Sequence, residues 1–493
     1  MLSGDCPTET LKFPVDDIMR EAYALLDEAM RDISDDAFRA YGSSPLLFEL
    51  FFNLAKVSLA LQHRTVTHTS LVDSLARWQP GASVMRYLRA TGHDVLLRGL
   101  GLAERFRERP PDPPRSRWIF LWGRPSQNRS LGMLRAECEA RGDDVVDLAM
   151  TVRIGGRELR SSVIPAPWAA RGHEVWDLRR IPITEALRRA TSFARAIRVA
   201  ARTGRQRLEL DERAIVRTIF YDVVLGDALE HLLGRLRPEA LVCSMVWGLA
   251  YQAAYRANVR CVEFLHGSVQ EGLSQPPVPR PRELVGATPE DLSWLEERTR
   301  QRFVQLLPID PATDVAGRLR AQRSSEHRPL RVAYFPTYTA GVFGGSDQTR
   351  AEEDAIVRRM ASALPEIVWQ IKPHPFDETA LHRFSWAGRL DNVEVLEASR
   401  DALDLLPDID AAVHCGTSLS RPMGQLGIPQ LEIALEGRSL LTALPPLTTV
   451  ISRSDEGLAV LRCLTRNSEA PVAVGLASLR DRILIRSDER THG

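Results

Sequence analysis

The sequence predicts an α/β fold: two Rossmann-like domains behind a helical N-terminal extension. Three observations predict it. A chain of 493 residues is too long for one ordinary core, so two or three domains are expected. From about residue 118, short β-branched and aromatic runs alternate with longer amphipathic stretches, the pattern of a parallel sheet with crossover helices. That alternation breaks at a proline-rich stretch and then starts again, which divides it into two halves.

Apolar residues recur at helical spacing in Ile18–Met30 and again in Leu46–Leu61, so residues 1–112 are expected to be helical. Leu46–Leu61 contains Glu49, Asn53 and Lys56 and is too short to span a bilayer. The stiff run Arg109-Pro110-Pro111-Asp112-Pro113-Pro114 closes this extension. A first domain is expected over 113–285. It starts with strand Trp118–Trp122, the loop Gly123–Ser130, a helix over 131–141 and strand Asp144–Leu148. Residues 183–236 are expected to be mostly helical. Strand Ala240–Ser244, a helix near 246–257 and strand Cys261–Leu265 follow, and the last strand ends at His266-Gly267-Ser268. Four prolines in Pro276–Pro281 predict a linker.

The second domain is expected over 286–493. Strand Leu330–Phe335 ends at Pro336-Thr337-Tyr338, and a helix spans about 350–363. Strand Ile367–Ile371 ends at Lys372-Pro373-His374-Pro375. A strand near 392–395, a helix near 401–406 and strand Ala411–His414 come next. After the loop at Gly416 come a helix near 418–426 and strand Gln430–Ile433. The C-terminal segment is expected to be helical and to fold back over the first half.

Composition narrows the function. Formal net charge is zero, so no global field points to nucleic acid. The six cysteines are scattered without a C-x-x-C pair, which disfavours zinc and redox chemistry and fits a reducing, cytoplasmic setting. The early acids and the missing apolar core argue against a signal peptide. Of the 64 basic residues only Lys12, Lys56 and Lys372 are lysines, and a surviving lysine inside a motif marks a need for a compact charge.

In open α/β sheets ligands sit beyond the carboxyl ends of the strands, where four motifs lie. In Lys372-Pro373-His374-Pro375 two prolines stiffen the strand exit, and the lysine and imidazole can neutralise and hydrogen-bond a phosphate. In Gly416-Thr417-Ser418-Leu419-Ser420 a strand gives way to a helix start, where N–H groups and hydroxyls favour an anion. The bland reading of that motif is a simple N-cap. His266 is placed as a general base facing the cleft, with Glu271 as a second candidate base. Pro336, Thr337 and Tyr338 open the second half where a phosphate or nucleobase contact is expected.

Other signals are weaker. Asp408-Ile409-Asp410 has the metal-binding D-x-D spacing but enters a strand, so a solvated turn is expected and no metal site is assigned. Gly99-Leu100-Gly101 lacks the third glycine of a dinucleotide fingerprint. Residues 179–207 hold nine arginines and one acid, Glu185, a solvated helical face or a contact for an anionic acceptor or lipid surface.

Taken together, Tyr334-Phe335-Pro336-Thr337, Ile371-Lys372-Pro373-His374-Pro375 and Gly416-Thr417-Ser418 through Gly427-Ile428-Pro429 resemble the C-terminal half of GT-B-fold transferases. The nearest in kind are capsule polysaccharide glycosyltransferases and teichoic-acid CDP-glycerol glycerophosphotransferases. Leu265-His266-Gly267 is similar to the histidine motif in the first half of the second group. The resemblance covers residues 240–272 and 329–434. It implies His266 as acceptor-side base, and His374, Thr417 and Ser418 as donor-phosphate contacts. Many GT-B proteins place a ribose-binding glutamate where this chain has Pro422.

The expectation that follows is a transferase without cofactor. It moves a sugar or sugar-like phosphate group from a nucleotide-activated sugar or glycerol donor to a glycan or lipid-linked acceptor. Lys372, His374 (counted also among the catalytic residues with His266 and Glu271), Gly416, Thr417, Ser418 and Ser420 would stabilise the leaving nucleoside phosphate without a metal. Two rivals share the architecture: a non-hydrolysing nucleotide-sugar epimerase, and a non-catalytic binding or scaffold protein. The cysteine usage and the missing signal-peptide pattern place the protein in the cytoplasm as an expectation, with peripheral contact at the inner face of the membrane as its extension.

Overall fold

The computed structural model describes residues 113–123, 128–150, 152–154, 157–160, 162–203, 212–244, 248–265, 280–299, 301–323, 328–336, 347–374, 377, 380–415, 417, 419–434, 447–464 and 479–484. The expected helical extension, 1–112, lies outside them.

The first sheet comprises β1 (Trp118–Trp122), β2 (Val145–Ala149), β5 (His173–Glu174), β6 (Ala240–Ser244), β7 (Arg260–Phe264), β8 (Arg282–Val285) and β9 (Phe303–Leu307). Its spatial order is β5-β2-β1-β6-β7-β8-β9, and every pairing is parallel. A strand buried on both faces needs a continuous apolar run. WIFLW in β1 is fully buried, as is ALVCS in β6. A separate antiparallel hairpin, β3 (Val152–Ile154) and β4 (Arg157–Arg160), stands apart from the sheet. Two long helices, Ile183–Thr203 and Glu212–Leu236, pack on each other.

The second sheet comprises β10 (Arg331–Phe335), β11 (Val368–Ile371), β12 (Val393–Val395), β13 (Ala411–His414), β14 (Gln430–Ile433) and β15 (Thr448–Ile451). Its order is β12-β11-β10-β13-β14-β15, again parallel throughout. Numbered by appearance within the sheet, this is 3-2-1-4-5-6, the doubly wound order that leaves a crevice where the winding reverses, between β10 and β13. The first sheet reverses in the same way between β1 and β6. Two doubly wound sheets are the two Rossmann-like units that the alternation of apolar runs predicts.

Three corrections follow from sheet membership. The proline run 276–281 joins β7 to β8, neighbours in one sheet, so it is no linker between halves. The first sheet then continues past residue 285 to Leu307 in β9. The C-terminal segment is not wholly helical, because β15 precedes the helices Ser454–Arg462 and Leu479–Ile483. These strands carry weak local signals: β8 begins Arg282-Glu283, and β15 lies at the sheet edge with the adjacent Thr449 and Val450 both exposed.

The two halves are tied together. The helix Pro311–Arg323 leaves β9 and packs Ala316 into the cluster of Phe335, Leu405 and Met423 under the second sheet. Its N-terminus is capped by Asp310, whose carboxylate accepts from Ala312 N at 3.0 Å and from Ser130 Oγ at 2.5 Å. Gly286 sits beside Asp310 at φ +84, where an added Cβ would stand 3.2 Å from the Asp310 Cβ. The last described helix, Leu479–Ile483, returns to the first half as expected. Leu479, Ile483 and Leu484 join the core of Trp118, Phe120 and Leu134. Arg480 holds the Asp143 carboxylate with Nη2–Oδ1 at 2.8 Å, and Arg260 donates to the carbonyls of Ile483 and Leu484. Among the described residues no helix is long and apolar enough to cross a membrane.

Candidate functional site

Register places the motif-bearing strand ends side by side. Tyr334 pairs with Ile371 and Phe335 with His414, so the chain leaves β11, β10 and β13 in three adjacent lanes. Strands spaced about 4.8 Å apart put the outer two exits about 10 Å from each other. Pro336, Lys372-Pro373-His374, Cys415, Thr417 and Ser420 therefore share one edge, astride the reversal in strand order.

Pro336 is buried at the β10 exit. Lys372 follows β11, its N–H donating to Tyr334 O at 2.9 Å. Its side chain is buried, and Nζ donates to Pro373 O at 2.6 Å and to Ala398 O at 3.0 Å. Two of the three ammonium donors thus tie the exits of β11 and β12 together, leaving one for anything in the crevice. Burial pushes the Lys372 pKa down, with Asp401 favouring the charged form. His374 is exposed. Its pKa is lowered first by partial burial and then by the neighbouring Lys372 charge, against Asp377. A lowered pKa leaves the imidazole neutral at pH 7, a hydrogen-bonding group.

A salt-bridged cluster shores up this exit from below. Arg383 grips Asp354 through Nε–Oδ2 at 2.6 Å and Nη2–Oδ1 at 2.9 Å and reaches Asp377 at 3.6 Å. Asp354 also accepts from Tyr334 Oη at 2.9 Å, and Asp377 N donates to His374 O at 2.9 Å. The loop carrying His374 is thereby pinned to the helix Asp347–Ala363.

The β13 exit differs from expectation in detail. The helix is six residues, Ser420–Gln425, shorter than the expected 418–426. Its N-cap is Leu419, without a side-chain cap, so neither threonine nor serine plays the simple capping role. Thr417 instead closes the loop from outside the helix, its Oγ1 accepting from Leu419 N at 3.3 Å and its carbonyl from Ser420 N at 3.1 Å. Those two N–H groups are turned to Thr417, while the hydroxyl proton of Thr417 stays available to donate. Ser420 is buried. Pro422 falls in the first turn, where a missing N–H costs nothing. Arg421 reaches across to the first half, pairing with Asp291 at 2.7 Å and donating to Gly286 O.

Two residues not singled out from sequence support this loop. His414, last in β13 and fully buried, meets Gln430 Oε1 through Nε2 at 3.1 Å. Gln430 Nε2 donates in turn to Ser420 O at 2.9 Å. Burial pushes the His414 pKa down to about 4, so this ring is neutral. Its position at a strand end was legible; its burial was not.

Asp410 of the D-x-D run accepts from Arg331 N and from Arg328 Nη1, both at 2.8 Å, which gives it a structural role at the foot of β10. Among the described residues no group of three or more His, Cys, Asp or Glu side chains is placed to hold a metal. Thr337, Tyr338, Gly416 and Ser418 lie outside the described residues, as do His266 and Glu271 beyond the β7 exit. In the first half, the β1 exit is closed by Asn128, whose side chain pairs with both Gly123 N and Gly123 O at 2.9 and 3.1 Å.

Fold and site together define a two-unit, doubly wound α/β protein with polar and basic groups at the switch point of its second sheet. No family model matches the chain, and no curated protein matches it. Solved structures similar to it include MnaA of S. aureus in a UDP co-structure, at 10% identity and TM-score 0.39 over 70% of this chain and 87% of that one. The glycotransferase of kitacinnamycin is 14% identical, TM-score 0.41, over 76% of this chain and 95% of that one. UDP-GlcNAc 2-epimerase from Neisseria meningitidis bound to UDP-GlcNAc is 8% identical, TM-score 0.40, over 70% and 90%.

Proposed function

We propose that the protein is a transferase acting on a nucleotide-activated sugar or glycerol donor, with the donor's phosphates held at the carboxyl edge of the second sheet. One observation carries this reading: three adjacent parallel strands deliver Pro336, Lys372 with His374, and Thr417 with Ser420 to the point where the strand order reverses. Such a crevice is where doubly wound sheets bind nucleotides.

The chemistry assigned to each group follows from its state. The remaining N–H of Lys372 supplies positive charge, while neutral His374 and the Thr417 hydroxyl donate hydrogen bonds. These groups stabilise the charge that develops as a nucleoside phosphate departs. His266 and Glu271 remain the proposed acceptor-side bases, and a glycan or lipid-linked hydroxyl the proposed acceptor.

Thermal shift against UDP-, CDP-, GDP- and CMP-linked donors tests the site. One nucleotide class raises the unfolding temperature of the native chain by mass action, and His374→Ala and Thr417→Val reduce that rise. No shift of the native protein by any of them sinks the donor site. Incubating the stabilising donor without acceptor then separates reactions, because an epimerase converts it alone and a transferase does not.

A further inference from the structure

The short helix Ser420–Gln425 follows the β13 exit, and little in its own sequence holds it in place. At six residues it is far below the length at which a helix stands alone, and its N-cap, Leu419, offers no side-chain cap. Arg421 is helical although it precedes Pro422, and a following proline disfavours the helical region. What aims this helix lies outside it.

Both of its ends are fastened to the first half. At the start, Arg421 crosses to the helix Pro289–Thr299, with Nε to Asp291 Oδ2 at 2.9 Å and Nη2 to the same oxygen at 2.7 Å. Its Nη2 also donates to Gly286 O. At the other end, Gln425 Nε2 donates to Pro308 O at 3.1 Å, just after β9. Asp291 is a rigid post. It is third in its helix and accepts from Thr288 N at 2.8 Å, while its own N–H donates to Thr288 Oγ1 at 3.2 Å, a reciprocal cap. The Arg421 and Asp291 side chains are 14% and 13% exposed, so the pair is little screened by water. Ser420, whose carbonyl accepts from Gln430, is the neighbour of this arginine in the chain. The guanidinium is turned to a carboxylate and a carbonyl of the other half, the place of a group that orients the turn and not of one that grips phosphate.

We infer that Arg421 is a positioning residue: anchored on Asp291, it sets the turn of Thr417 and Ser420 against the first half, in the orientation that receives the donor phosphates. This rests on the donor site proposed for that turn. Isothermal titration of the full chain with UDP, CDP, GDP and CMP gives the affinity for the nucleotide that binds. Asp291→Asn keeps an acceptor for Thr288 N and removes the charge that holds Arg421. It binds that nucleotide about tenfold more weakly, as does Arg421→Gln. The double variant is no weaker than either single one, because both remove the same contact. A phosphate ligand held in reserve predicts the opposite: Asp291→Asn would free Arg421, remove a like charge and tighten binding. The inference falls on such tightening, on an Asp291→Asn affinity equal to the native one, or on losses that add in the double variant. Thr417→Val separates it from the donor site. If that variant binds more weakly and Asp291→Asn does not, the donor site stands and the inference alone falls. A native chain that binds none of these nucleotides overturns both. Native circular dichroism qualifies each variant, and Asp291→Asn decides alone if Arg421→Gln does not fold.

Discussion

His414 shows how a single residue ties the site to solution conditions. Its pKa stands at about 4, against 6.5 when exposed, because burial penalises the charged ring. The unfolded chain takes up a proton near pH 6.5 that the folded chain refuses until about pH 4. Stability from this group is therefore complete above the upper value and is lost as pH falls through the window, by roughly 3 kcal/mol at its acid end. Urea unfolding at about pH 7 and pH 5 should show the native chain losing on the order of 2 kcal/mol more than His414→Gln. Equal losses would mean the ring titrates normally. Lys372 makes the complementary point. Its rarity in the sequence marks it out, but its partners are the carbonyls of Pro373 and Ala398, and backbone acceptors leave no trace in a residue pattern.

Single elements show where a strand hides. β8 opens with Arg282, and a charged residue argues against a buried strand. The charge is tolerated because Glu263 on neighbouring β7, which pairs with Leu284 two residues along, reaches back to it, with Arg282 Nε–Oε1 at 2.8 Å and both side chains almost wholly buried. Tyr251 and Phe303 stack over the guanidinium at 4.8 and 5.5 Å. Removing one member of such a pair strands the other charge. Arg282→Met should cost about 3–5 kcal/mol, and the double variant Arg282→Met/Glu263→Leu should recover most of that loss in urea unfolding. A double variant as unstable as the single one would show that the pair itself stabilises the sheet. The short helix Ser420–Gln425 is the matching case in the second half. Thr417 and Ser418 have the composition of an N-cap, yet Leu419 takes that position and Thr417 closes the loop.

For the whole molecule, the contacts among the described residues that join the two halves include Asp310 with Ser130, Arg421 with Asp291, and Arg129 with Asp401 and Asp404. The returning helix Leu479–Ile483 completes the first core. A chain ending at residue 478 exposes the faces covered by Leu479, Ile483 and Leu484 and leaves the partly buried Asp143 without Arg480. Burial of three such side chains is worth on the order of 5 kcal/mol. The shortened chain should unfold at markedly lower urea concentration, and an unchanged midpoint would show that the helix contributes no stability.

Sequence by itself determined the two rounds of strand–helix alternation, the position of most central strands to within a residue or two, and the placement at strand ends of the motifs proposed to hold phosphate. These are local properties, carried by runs of a few apolar residues and by the prolines and glycines that end them. Tertiary structure alone decided that β8 and β9 belong to the first sheet, that Arg480 and Arg260 fasten the last helix to it, and that His414 and Gln430 brace the loop at Thr417. Each of those depends on a partner far away along the chain, and a buried charge or an edge strand becomes stable only once that partner is in place.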